Sequence, residues 1–121
     1  MKRQVLAITT DGSGDATVFG YAVLAKLFAI EYHPGTINTG ATVTVTCEGD
    51  ASKALLTKAS AGTSNLLFYP RDLVHAVADG AALTGTAGGD RAMPILNGTP
   101  KVVIASGGDT LSGTVIIHYI E

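Results

Sequence analysis

Two β-branched runs near the end of the chain constrain its fold more than any other feature. Lys101-Val102-Val103-Ile104-Ala105-Ser106 and Thr114-Val115-Ile116-Ile117-His118-Tyr119-Ile120 carry side chains that are stiff in a helix and pack well on a pleated surface. Between them, Gly107-Gly108-Asp109-Thr110-Leu111-Ser112-Gly113 is rich in residues that tolerate positive φ. Runs of this kind around a Gly-rich connector predict an antiparallel hairpin, onto which the earlier strands pair.

Earlier segments follow the same idiom. Thr42-Val43-Thr44-Val45-Thr46-Cys47-Glu48 alternates strictly, with Val43, Val45 and Cys47 on one face, and predicts a half-buried strand in which Cys47 is a small core residue. Further strands are predicted over Gln4–Thr9, Ala16–Phe19, Lys53–Ser60 and Asn65–Tyr69, with the Asp11–Asp15 turn joining the first two as a hairpin.

Tyr21–Tyr32 has the Ala and Leu content of an apolar helix. The turn at His33-Pro34-Gly35-Thr36 and the strands on either side favour one long strand instead. A period of two puts Leu24, Lys26, Phe28, Ile30 and Tyr32 on one side, and Val23, Ala25, Leu27, Ala29 and Glu31 on the other.

From Pro70 to Thr99 no period is sustained. Asp72 is a candidate cap for a short helical turn over Pro70–Ala76, and the remainder reads as one long loop, about residues 70–99. The whole chain, residues 1–121, thus predicts a single all-β domain: an antiparallel β-sandwich or jelly-roll-like barrel of about eight short strands.

Composition bears on what surrounds that domain. Apolar residues make up 46% of the chain and charged residues only 15%, against about 25% in ordinary globular proteins. So few charges favour a surface partly covered by neighbours. The net charge is −2 and no basic cluster follows Lys2-Arg3, which argues against nucleic acid as a partner. No apolar run reaches the roughly 18–20 residues that span a bilayer, so no membrane partner is expected. Met1-Lys2-Arg3 leads into a strand-like run broken at Thr10-Asp11-Gly12 and predicts no secretory signal. The single cysteine, Cys47, rules out an intrachain disulfide.

Chemistry-bearing motifs are sparse. His33, His75 and His118 show no metal-ligand spacing. Asp11-Gly12-Ser13-Gly14-Asp15 lacks the alternating ligands and closing Glu of a calcium loop, and Gly12-Ser13-Gly14 lacks the third Gly or the Lys-Thr of a nucleotide-binding turn. No Gly-x-Ser-x-Gly elbow occurs. The expectation is therefore a non-enzyme with no catalytic, cofactor-binding or metal residue, and no cofactor. Arg71-Asp72 and Asp90-Arg91 bracket the long loop, each suited to an intersubunit ion pair or to a solvated local one.

The segments Val5–Ala16, His33–Thr42 and Tyr69–Val74 resemble small virion proteins of tailed bacteriophages, of the capsid-decoration or minor-capsid type. That resemblance implies a β-sandwich or jelly-roll module, made in the host bacterial cytoplasm and located in the virion. It further implies a homo-oligomer, with a trimer favoured, bound to the major capsid protein or another virion protein. Under it, the long loop and its flanks become the expected interface: Tyr69, Arg71, Asp72, Leu73, Leu83, Arg91, Met93, Ile95 and Leu96. The alternative is a carbohydrate- or receptor-binding jelly-roll module of a phage tail or fibre. The absence of Trp weighs against it, because sugar sites stack rings on aromatics.

Overall fold

The computed structural model describes residues 1–48, 53–73 and 91–121. Among the described residues the chain is all β, with antiparallel strands and no helix. The strands are β1 (Lys2–Thr9), β2 (Ala16–Phe19), β3 (Val23–His33), β4 (Thr42–Glu48), β5 (Lys53–Lys58), β6 (Leu66–Phe68), β7 (Asp72–Leu73), β8 (Arg91–Ala92), β9 (Ile95–Ala105) and β10 (Ser112–Ile120). One sheet runs in the order β1-β10-β3-β9-β4-β5, with β2 beside β9 and β6 beside β3, while β7 and β8 pair separately.

The sheet folds over a single core. Leu6 and Ile8 of β1, Leu27, Ile30 and Tyr32 of β3, and Val115 and Ile117 of β10 belong to the same buried cluster as Val43, Val45 and Cys47 of β4, Leu55 of β5, and Leu96, Val102 and Ile104 of β9. Each fully buried aliphatic side chain contributes about 1.5–3 kcal/mol of transfer free energy. The alternation predicted for Thr42–Glu48 is realised, with Val43, Val45 and Cys47 inward and Thr44 and Thr46 partly exposed.

Pairing departs from the sequence-based expectation in four places. First, the two C-terminal runs do not form a hairpin. β10 is flanked by β1 and β3, whereas β9 is flanked by β2, β3 and β4. Their connector crosses between layers instead of turning back. Gly107 N donates to Gly14 O (2.8 Å), Asn38 N donates to Gly107 O (2.9 Å), and the buried Thr10 donates its Oγ1–H to Gly108 O (2.6 Å) while accepting from Leu111 N (2.8 Å).

Second, β2 does not pair with β1. Ala16–Phe19 lies antiparallel to Ile104–Lys101, and after a break at Gly20-Tyr21-Ala22 the chain continues along the same strand, Val23 opposite Gly98 through Lys26 opposite Ile95. β9 thus gathers in residues 95–99, which sequence analysis had assigned to the long loop.

Third, β3 does not keep one parity. Leu27 pairs with Tyr119 and Ala29 with His118, so Phe28 is an extra residue against β10. This bulge flips the inward face. Ala25 and Leu27 point inward before it, Ile30 and Tyr32 after it. Fourth, Asp72 and Leu73 are extended, Asp72 opposite Ala92 and Leu73 opposite Arg91 in the β7–β8 ladder, while residues 74–76 of the expected helical turn lie outside the described residues.

Candidate interaction surface

The register defines two poles. Thr9, His33 and Ser112 end their strands at one, and Lys2, Lys26 and Ile120 lie together at the other. Large apolar side chains are exposed at the Lys26 pole, as are Val5, Phe19 and Leu67 elsewhere on the sheet. Tyr21 (81% exposed) and Leu24 (72%) stand on and beside the break between β2 and β3, and Ile95 (47%) lies beside Leu24 on β9. Leu24, Ala25, Lys26, Ile95, Ile120 and Glu121 line one shallow groove.

A second groove, of about 430 Å³, shares Lys26 and is otherwise lined by Phe28, Arg71, Arg91, Ala92 and Met93. Arg71 is held in place from three sides. Its Nη1 donates to Phe28 O (3.0 Å) and Pro70 O (2.6 Å), and its guanidinium carbon lies 5.7 Å from the Phe28 ring centre and 5.9 Å from that of Tyr69. Phe28 and Tyr69 meet edge to face with ring centres 5.7 Å apart. Cation–π contacts of this kind fix an arginine's direction while leaving its charge available.

Of the residues expected at an interface, Arg71, Arg91 and Met93 line this groove, Tyr69 packs on it, and Ile95 lines its neighbour. Asp72 and Leu73 form the ladder beside it. Leu96 is fully buried in the chain's own core, because even-numbered β9 residues face inward, and it is no surface contact. Leu83 lies outside the described residues, as does His75. Lys26 and Phe28 went unrecognised in the sequence: both sit in an apolar run whose parity the bulge obscures.

A polar cluster lies on the outer face, toward the His33 end of β3. His118 Nε2 donates to Glu31 Oε2 (2.5 Å), and His33 Nε2 lies 3.3 Å from Glu31 Oε1. Hydrogen bonds from His118, and secondarily from His33, hold the Glu31 carboxyl below its ordinary value of 4.5. The sequence reading ends this strand at Tyr32 and puts His33 in the following turn, and so misses the cluster; β3 extends to His33, and His118 arrives through the β3–β10 pairing. The carboxylate sits between the two imidazoles, and among the described residues no three His, Cys, Asp or Glu side chains are placed to hold a metal ion. Nor, among those residues, is any helix long and apolar enough to cross a membrane.

Compared with known proteins, the sequence matches no family model and no curated protein.

Proposed function

We propose that this chain is a structural, non-catalytic protein of a tailed-bacteriophage virion, a capsid-decoration or minor-capsid component that works as a homo-oligomer against another virion protein. The observation that supports this reading best is the uncovered apolar pole, where Tyr21, Leu24 and Ile95 flank the groove bearing Phe28 and Met93. A chain with only 15% charged residues gains most from covering such a surface with protein. The clasped Arg71 beside it supplies the kind of anchored arginine that interfaces favour.

Two measurements test the reading. Sedimentation velocity at micromolar concentration is expected to show a concentration-stable oligomer, and mass spectrometry of purified particles is expected to find the chain in many copies. A strictly monomeric species that is also missing from particles overturns it.

A further inference from the structure

Among the described residues, the two poles present side chains of opposite charge. At the Lys26 pole the groove is lined by the cationic side chains of Lys26 and Arg71, with Arg91 beside them, and among the described residues by no carboxylate. Glu121 lines the adjoining groove, where Lys2 engages it (3.2 Å), and Asp72 belongs to the β7–β8 ladder. At the other pole the Asp11–Asp15 turn packs beside Asp109, with Thr110 N donating to Asp11 O (3.2 Å). Asp11, Asp15 and Asp109 are all exposed there, and among the described residues Lys58 at the end of β5 shares that end.

These charges do not meet within one molecule. β10, nine residues at about 3.3 Å each, sets the poles roughly 30 Å apart. That exceeds the Debye length of about 8 Å at physiological ionic strength.

We infer that the groove of Lys26, Phe28, Arg71 and Met93 receives the Asp11–Asp15 and Asp109 tip of a second copy, so that the chains associate head to tail. The inference rests on the oligomeric reading above and names its contact. Such a contact is heterologous: each copy offers its groove to one neighbour and its tip to another, generating a ring or an open stack. Complementary charge steers and orients the encounter, while Phe28, Met93, Leu24 and Ile95 supply apolar area beside it.

Charge-reversal complementation is the test. A groove variant, Lys26→Glu with Arg71→Glu, and a tip variant, Asp15→Lys with Asp109→Lys, are each expected to associate at least about tenfold more weakly than wild type. Mixed one to one, they are expected to recover assembly, because a reversed groove meets a reversed tip and a native tip meets a native groove. Lys26→Glu alone, at an exposed position, guards against loss of folding from removing Arg71 and is expected to weaken association in the same direction. Unchanged assembly of the variants, or no recovery on mixing, overturns the head-to-tail contact while a wild-type oligomer still stands. A monomeric wild type removes the oligomeric reading itself.

Discussion

Gln4 closes its side-chain amide on the backbone of Tyr21: Oε1 accepts from Tyr21 N (2.8 Å) and Nε2 donates to Tyr21 O (3.1 Å). The pair of bonds replaces a strand pairing that β1 and β2 do not make, at the break where the chain passes from β2 to β3. Gln4 is buried, and a side chain at Gly20 would collide with its Oε1. Gln4→Met preserves length and removes both bonds, leaving two backbone groups without that partner. It is expected to lower unfolding free energy by about 1–3 kcal/mol in urea titration, and no change would show that water substitutes for the amide.

Tyr32 presents the opposite case. Its ring fills the core, yet among the described residues its hydroxyl is the buried side-chain atom without a hydrogen-bond partner. Tyr32→Phe is expected to leave stability unchanged or raise it by up to about 1 kcal/mol, since it deletes a desolvated polar group. Tyr32→Ala is expected to cost about 3–5 kcal/mol, through the cavity it leaves. Equilibrium denaturation separates the two.

The Glu31 cluster predicts an acid-side signature. A carboxyl whose folded value is depressed contributes stability that is present above its unfolded value and is lost as pH falls through the folded one. For Glu31 that window lies below 4.5. Wild-type protein is expected to lose stability more steeply than Glu31→Gln in denaturant titrations as the pH falls below 4.5. Parallel curves would show that the His118 and His33 contacts carry no net stabilisation.

Gly14, like Gly35, is a glycine at which backbone geometry demands the residue. Its φ is +83°, and an added Cβ would sit 2.9 Å from Gly108 N and 3.1 Å from Gly107 N, where the inter-layer connector is bonded to the first turn. Gly14→Ala is expected to cost about 1–3 kcal/mol. Gly40→Ala, with open space around the new methyl, is expected to stay within about 0.5 kcal/mol of wild type. Thermal melts of the two variants check the contrast.

Legibility in the sequence followed range. The alternation in Thr42–Cys47 identified a strand and its inward face correctly, because side-chain direction in a strand is set residue by residue. The same rule failed in β3, where Phe28 bulges against β10 and both sides of the predicted ribbon contribute to the core. Arg71, Arg91 and Met93 were legible as a group since they flank one atypical segment, whereas Lys26 and Phe28 join them only through a fold that lays β3 beside that segment.

What the sequence determined by itself is therefore an all-β chain, punctuated by glycine turns, with Cys47 inside and too few charges to cover its outside. Only the tertiary structure decided that β9 and β10 lie apart, that Glu31 joins two histidines, and that Lys26 and Phe28 meet Arg71 in one groove. Local periodicity fixes which way a side chain points. Which strand lies beside which depends on how distant segments share one core, and that no short window of residues contains.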